Sequence, residues 1–275
     1  MRLSAALGRY PHTAALLDGR AGSDLFELDF ADIKPISRAF APVVRAARFD
    51  VSEMAIATFL MAKAWGKPLV LLPVAVAARF QEGAMLCRAD SAICGPADLR
   101  GRRVGVRAYS QTTGLWIRGR MQEAHGVAPE EIAWTTFEDA HVAEYRDPPF
   151  VTRAAPGQDM LAMLRGGDLD AAIFGNDMPQ DDALRPVFRD PEAAGRDFLA
   201  AHGFVPFNHL VVVRESLARE RPDVVEDLVR LLESPAMPHG RAAIDPAIAL
   251  AIRFAREQGL LPRDMTVEEA WEGLP

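Results

Sequence analysis

Short apolar runs alternate with segments of helical periodicity along most of the chain. Residues 159–164 precede a Gly pair that favours a helix end, and residues 222–232 start with Pro and carry apolar residues at helical spacing. Thr266 and Glu269 have the spacing of a capping box. The runs that fit buried strands are Leu3 to Leu7, Pro68 to Val76, Val104 to Arg107, Ala171 to Phe174 and Leu210 to Val213. This alternation predicts an α/β fold with helices on the faces of a sheet.

Two turn-rich segments divide the chain into candidate lobes. Residues 91–103 separate two apolar runs, and residues 202–210 place aromatic residues and a proline before an apolar strand. A chain that leaves one lobe and later returns forms two lobes with a cleft that can close by hinge motion. We therefore predict a first lobe of residues 1–97 with the return segment 206–275, and a second lobe of residues 98–205.

The segment from Phe49 to Lys63 combines a short apolar strand with an Ala-rich helix. Phe49 and Val51 fit the end of the strand, and Ser52 fits a helix N-cap. Backbone N–H groups at such strand-to-helix turns attract anions. Ser52 and Glu53 are therefore predicted to lie at a ligand cleft, although capping alone would also explain both residues.

A second strand, turn and helix start follow at residues 104–117. Hydroxyl, amide and N–H groups in this turn would bind an anion, and two arginines could add bidentate contacts to a carboxylate. Ordinary capping remains an alternative for the hydroxyl groups, as does a solvated helix face for Arg118. Asn176 follows another strand and would also face the cleft, unless it belongs to a plain turn. The candidate ligand-binding residues of the turn are Arg107, Tyr109, Ser110, Gln111, Thr112, Thr113 and Arg118.

Composition narrows the class of protein and of partner. The 275 residues are enough for two lobes of ordinary size, and 49% hydrophobic with 25% charged residues is typical of globular proteins. The net charge of −7 argues against a nucleic-acid surface, which needs clustered Lys and Arg. No run approaches the roughly 20 apolar residues of a membrane span, and the first residues lack the apolar core of a secretory signal. We expect a small-molecule partner, no nucleic acid or membrane, a cytoplasmic location and a possible homo-oligomer.

Three titratable side chains are candidates for proton transfer: His12, Glu53 and His209. His12 follows a predicted strand at the cleft mouth, and His209 lies in the second crossing. A surface turn for His12 and a hydrogen-bonded hinge for His209 remain alternatives, and the pKa of Glu53 could shift in either direction. The three residues are far apart and show no metal-ligand spacing. We expect no organic cofactor and no metal, leaving open an ion held by distant ligands.

Seven motifs are spread over most of the chain: YPHT at 10–13, FDVSEM at 49–54, GPADLRGRRVGV at 95–106, YSQTTGLWIRG at 109–119, GVAPEEIAW at 126–134, LRGGDLDAAI at 164–173 and FVPFNHLVVVRESL at 204–217. Together they resemble the 4,5-dihydroxyphthalate decarboxylases, cytoplasmic enzymes built on the type II periplasmic-binding-protein fold. FDVSEM, WIRG and PFNH are the more discriminating pieces, whereas DLRGRRVGV and GGDLDAAI are shared by many solute-binding proteins. The resemblance implies a two-lobed α/β fold with a central ligand cleft.

The resemblance also implies a reaction, the loss of CO₂ from a hydroxylated aromatic carboxylate by ring protonation. Such a site needs carboxylate anchors, a general acid and an acceptor for the hydroxyl. One segment departs from the family: ARFQEG at residues 78–83 keeps Arg79 as an anchor but has Gln81 and Glu82 where basic residues are usual. An acidic group there would repel two carboxylates.

Two other functions fit the same fold, because fold does not fix function. One is a non-catalytic solute-binding protein that captures a small anion for a transporter. The other is a different lyase or a ring-forming enzyme, as among menaquinone-pathway relatives. Titratable residues at the cleft favour an enzyme.

Overall fold

The computed structural model describes residues 1–275 as an α/β protein with two separate sheets. The strands are β1 (Arg2–Ala6), β2 (Glu27–Phe30), β3 (Val51–Ala55), β4 (Leu69–Ala78), β5 (Met85–Arg88), β6 (Arg103–Val106), β7 (Ala133–Thr136), β8 (Val151–Arg153), β9 (Ala171–Ile173), β10 (Leu184–Pro186) and β11 (Phe207–Arg214). The helices are α1 (Ala14–Leu17), α2 (Phe40–Ala46), α3 (Ile56–Ala64), α4 (Thr112–His125), α5 (Met160–Gly166), α6 (Pro191–His202), α7 (Glu215–Glu220), α8 (Pro222–Leu232), α9 (Arg241–Glu257) and α10 (Val267–Trp271). None of the helices combines the length and the apolar composition needed to cross a membrane.

The first sheet has the strand order β2-β1-β3-β11-β4. Strand β1 pairs in parallel with β2 and β3, whereas β11 runs antiparallel between β3 and β4. The return strand β11 therefore lies inside the sheet, and its Val-rich sequence suits a strand covered on both faces.

The second sheet has the strand order β10-β5-β9-β6-β7-β8. Strand β5 pairs with β9 and β10, although the predicted boundary at residue 97 assigned it to the first lobe. The chain therefore first changes sheets between Ala78 and Met85. The turn-rich sequence at residues 91–103 is misleading, because it connects two strands of the same sheet, β5 and β6.

One continuous core joins the two lobes. A cluster of 56 buried residues includes side chains beside both sheets, and α9 of the return segment packs on α3 and α4. Gly119 permits this contact, because a Cβ at that position would lie 2.1 Å from the ring of Phe254. The lobes are therefore fastened by close packing as well as by the crossing segments.

A second fastening is the segment between β7 and β8, residues 137–150, here named the strap. Arg45 of the first lobe donates hydrogen bonds to the backbone carbonyls of Ala140 and His141, at 2.6 and 2.8 Å. Lys67 forms an ion pair of 2.5 Å with Glu144. The strap thus extends from the second sheet and is held on the first lobe beside the cleft.

Candidate active site

A cleft of about 320 Å³ lies between the lobes, within the usual range for small-molecule sites. Its size suits a ligand with a single aromatic ring. Polar groups converge on it from the starts of two helices, the strap and β11. The apolar part of its wall consists of Pro35, Ile36, Phe40, Ala55, Ala108, Phe137, Met160, Ile173 and Phe174.

The start of α4 forms one wall of the cleft. Ser110, Gln111, Thr112 and Thr113 all line it, as the sequence predicts. Gln111 is the N-cap, but no side chain caps this helix, so its first N–H groups are available to a ligand. Partial positive charge at a helix start makes this an anion-binding position.

The start of α3 faces the same space from the first lobe. Ala55 and Thr58 line the cleft, and the Ala57 N–H donates to Thr112 Oγ1 at 3.3 Å. The two helix starts therefore meet. Both contribute positive potential at one place, although they come from different lobes.

Glu53 and His209 form a hydrogen-bonded pair beside these helix starts. On the antiparallel strands β3 and β11, Val211 lies opposite Glu53, so His209, two residues away, points to the same face. His209 Nδ1 donates to Glu53 Oε1 at 2.5 Å. This bond fixes the ring while His209 itself lines the cleft.

The Glu53 carboxylate is fully buried and accepts two further hydrogen bonds. Tyr10 donates its hydroxyl at 2.6 Å, and the Gly8 N–H donates at 2.7 Å. A Cβ on residue 8 would lie 2.8 Å from Glu53 Oε2, so glycine is required for this approach. These donors replace the water that the carboxylate loses on burial.

The pKa values in this cluster keep Glu53 charged. Burial acts to raise the pKa of Glu53, but the hydrogen bond and charge of His209, with the bonds from Tyr10 and Gly8, lower it overall. Burial and the neighbouring carboxylate raise the pKa of Tyr10, so the phenol keeps its proton. The ionised Glu53 carboxylate therefore serves as the acceptor for His209 Nδ1.

A second histidine, His141 of the strap, lines the same cleft. Its Nδ1 lies 2.8 Å from Thr58 Oγ1. The rings of His209 and His141 both meet Phe40 edge to face, with centroids 5.1 and 5.7 Å away. Burial, helped by nearby positive charges such as that of Arg107, lowers the pKa of His141 to about 4. The cleft therefore presents one histidine paired with a carboxylate and one neutral histidine.

No family model matches the chain. The chain is 28% identical to the 4,5-dihydroxyphthalate decarboxylase of Comamonas testosteroni, over 98% of this chain and 86% of that protein. It is also 28% identical to the enzyme of the same name from Pseudomonas putida, over 73% of this chain and 82% of that protein. The predicted resemblance to these decarboxylases is confirmed.

Solved structures match the fold over nearly the whole chain. The alkanesulfonate-binding protein SsuA from Xanthomonas axonopodis pv. citri, bound to MOPS, has a TM-score of 0.55 at 17% identity, over 100% of this chain and 84% of that one. A variant of the desulfurization enzyme DSZB, in complex with biphenyl-2-sulfinic acid, has a TM-score of 0.53 at 16% identity, over 99% of this chain and 97% of that one. The chain has a two-lobed type II periplasmic-binding-protein-like fold. Since a binding protein and an enzyme share it, the fold does not choose between these functions.

Of the predicted proton-transfer residues, the structure brings Glu53 and His209 together and leaves His12 behind them. His12 is absent from the cleft lining, and its Nε2 donates to the Val76 carbonyl at 3.0 Å. Its ring stacks on Tyr10 with centroids 5.3 Å apart. Any effect of His12 on the reaction would therefore pass through Tyr10.

The predictions that Ser52 caps a helix and that it lies at the cleft are both wrong. It lies inside β3, where it pairs with Ala6 and Val212, and its hydroxyl donates to the Glu53 carbonyl. The strand continues to Ala55, which is the actual N-cap of α3. The buried strand and the buried helix are both apolar, so their boundary gives no periodicity signal.

Tyr109 and Arg118, predicted to bind the ligand, are instead buried inside the second lobe. The Arg118 guanidinium stacks 3.9 Å from the Tyr109 ring centre and donates to the Tyr109 carbonyl and to Gln258. Burial lowers the pKa of this guanidinium. Arg118 therefore links α4 to the return segment. It neither contacts the ligand cleft nor lies on a solvated helix face.

The remaining predicted cations have different surroundings. Arg107 lines the cleft, with a side chain 38% exposed and Nε 3.6 Å from Glu138 Oε2. Arg79 lies behind the lining, with Nη2 3.5 Å from Thr113 Oγ1 and no carboxylate partner. Asn176 is exposed at the cleft edge. Because Arg107 is already paired with Glu138, the N–H groups and hydroxyls at the start of α4 are more available to an anion than Arg107 is.

Gln81 and Glu82, the departure from the decarboxylase pattern, lie outside the cleft lining. The Gln81 amide donates to Asn208 Oδ1 at 2.9 Å and so joins the two crossing segments. The Glu82 carboxylate accepts the Gln81 N–H, and burial raises its pKa. The expected repulsion between Glu82 and a carboxylate ligand is therefore removed by its position.

His141, Thr58 and Phe40 also line the cleft, although none of them was predicted from the sequence. His141 lies in a strap without strand or helix periodicity, so only its residue type could have marked it as a candidate. No group of three or more His, Cys, Asp or Glu residues is arranged to hold a metal ion.

Proposed function

We propose that this protein is a carboxy-lyase that removes CO₂ from a hydroxylated aromatic carboxylate such as 4,5-dihydroxyphthalate. The observation that carries the proposal is the Glu53–His209 pair, which opens on a cleft lined by two helix starts. A buried carboxylate that orients a histidine at a ligand site is an arrangement suited to acid–base chemistry. The names of the two decarboxylase relatives support the same reaction.

In the proposed reaction, the departing carboxylate binds at the start of α4, where N–H groups and the hydroxyls of Ser110 and Thr113 face the cleft. The ring rests on the apolar wall. His209 Nε2 gives its proton to the ring carbon that carries the carboxylate. The bond between that carbon and the carboxylate then breaks, its electron pair returns to the ring, and CO₂ leaves. Glu53 acts as a positioning residue that stabilises the charged imidazole.

Arg79, which lies behind the lining, would act on a second carboxylate through Thr113. This guanidinium reaches the α4 start at Thr113 and has no acidic partner of its own. Gln111 has a buried side-chain oxygen without a hydrogen-bond partner in the chain, and this acceptor would suit a substrate hydroxyl and not a carboxylate. Arg107 and Asn176 complete the proposed binding set at the rim of the cleft.

The alternative is a non-catalytic binding protein for a small anion, a function that the fold shared with SsuA also permits. Hinge-closing proteins of that kind need lobes that separate. Here a common core of 56 buried residues and the strap join the lobes, which favours a preformed site.

The proposal is tested by incubating purified protein with 4,5-dihydroxyphthalate in D₂O and measuring CO₂ and the product by mass spectrometry. Ring protonation predicts one mole of CO₂ and one new ring deuterium for each mole of product. Binding of the ligand without CO₂ would replace the enzyme with the binding-protein alternative.

Three further predictions belong to this proposal: a cytoplasmic location, no required cofactor or metal, and a possible homo-oligomer. Cell fractionation, metal analysis with activity after chelation, and sedimentation measure them in turn.

A further inference from the structure

The strap places a free ring nitrogen of His141 in the cleft. Its Nδ1 is engaged by the Thr58 hydroxyl at 2.8 Å, which leaves Nε2 without a partner in the chain. The backbone carbonyl of the same residue accepts a hydrogen bond from Arg45 at 2.8 Å, and the ring packs on Phe40. Both ends of His141 are therefore fixed, so its Nε2 has a defined position.

His141 and His209 differ in their electrostatic surroundings although both rings contact Phe40. His209 is bonded to the ionised Glu53, whereas His141 is bonded to a neutral hydroxyl. Burial and the positive charges of Arg107, Arg45 and His209 lower the pKa of His141 to about 4, so it is neutral at pH 7. A neutral imidazole whose Nδ1–H donates to a hydroxyl presents an acceptor lone pair at Nε2.

We infer that His141 Nε2 accepts a hydrogen bond from a ring hydroxyl of the substrate, the one para to the departing carboxylate, and so selects hydroxylated rings. The inference rests on the proposed function. That hydroxyl must supply electrons to the ring as the ring carbon is protonated, and a hydrogen bond to an acceptor increases this supply. The hydroxyl keeps its proton, and the only proton transferred is the one from His209.

Thr58 acts here as a positioning residue. Its hydroxyl holds Nδ1 at 2.8 Å, and the inferred arrangement has the hydrogen of the neutral ring on Nδ1, with the hydroxyl oxygen as its acceptor. Replacing the hydroxyl with a methyl group would leave the imidazole in place but free its tautomer. The preference for hydroxylated ligands should then weaken without being lost.

The test compares two probes, phthalate and 4,5-dihydroxyphthalate, by titration calorimetry. Wild-type protein should bind the dihydroxy compound about tenfold more tightly, as expected for a hydrogen bond made in a desolvated site. In His141→Leu this preference should disappear while phthalate affinity is retained. His141→Gln, which keeps a polar group near the Nε2 position, and Thr58→Ser, which keeps the hydroxyl, should both retain part of the preference, and Thr58→Val should show less of it than Thr58→Ser.

The other outcomes show whether this inference, the proposed function or both are wrong. If His141→Leu weakens both probes equally, or leaves the preference intact, the residue is structural and the inference is wrong. If the wild type shows the preference and His141→Leu loses it, yet no CO₂ forms, the inference holds and the decarboxylase proposal fails. If the wild type binds neither probe, both are wrong.

Discussion

Replacement of Glu53 by Gln tests the pairing at the centre of the proposed site. The carboxylate accepts hydrogen bonds from Gly8, Tyr10 and His209, and the isosteric amide can accept only with its single oxygen. That oxygen must face the Gly8 N–H, because this backbone group can only donate and its direction is fixed. The amide NH₂ group then faces His209 Nδ1, which must become an acceptor.

The expected loss of activity follows from this rearrangement. The charged form of His209 loses a hydrogen bond to a carboxylate, an interaction of about 1.5–3 kcal/mol. At about 1.4 kcal/mol for each factor of ten, the upper value is roughly a 100-fold fall in kcat. KM should change little, because Glu53 is buried behind His209 and does not line the cleft.

Asp50→Asn is the matched control. Asp50 lies just before β3 and accepts hydrogen bonds from the Ser4 N–H and hydroxyl at 2.7 and 2.6 Å, but it is outside the cleft lining. Both variants should lose stability in thermal unfolding, whereas only Glu53→Gln should lose kcat in a CO₂-release assay. A folded Glu53→Gln protein with wild-type kcat, or an equal kcat loss in Asp50→Asn, would refute the role of the pair.

Three other predictions concern stability and the departure from the decarboxylase pattern. His141 binds a proton near pH 6.5 in the unfolded chain but only near pH 4 in the folded protein, so folding stability should fall as the pH drops through this range. Urea unfolding should show a loss of about 3 kcal/mol in the wild type that is absent in His141→Gln. Gly119→Ala should destabilise the fold by about 1–3 kcal/mol, because its Cβ would lie 2.1 Å from the Phe254 ring, whereas Gly166→Ala, with its nearest atom at 3.9 Å, should not; equal melting temperatures would contradict the packing argument. Glu82→Gln should leave KM for 4,5-dihydroxyphthalate unchanged, since this carboxylate lies outside the cleft lining, and a marked fall in KM would show that it faces the ligand.

The sequence by itself determined the elements whose signals are local. The helix at residues 222–232 and the capping box of Thr266 and Glu269 are confirmed, because periodicity and capping depend on neighbouring residues. The hydroxyl-rich start of α4 was predictable for the same reason, since a strand, turn and helix in succession are read within a few residues. The turn-rich segments and the resemblance to the decarboxylases both predicted two lobes, but the turn-rich sequence misplaced the first crossing, because β5 pairs in the second sheet.

Tertiary structure decided which of these residues share a site. Glu53 and His209 are 156 residues apart, and only the register of β3 against β11 puts them on one face. His141 enters the cleft because Arg45 and Thr58 of the other lobe hold the strap. The sequence identifies Arg118 as a cation on the helix that follows the hydroxyl-rich turn, but whether its side chain faces a ligand or the core depends on packing with the return segment. The chemistry of a side chain follows from its residue type, whereas its orientation and its distance from other site residues depend on contacts between distant parts of the chain.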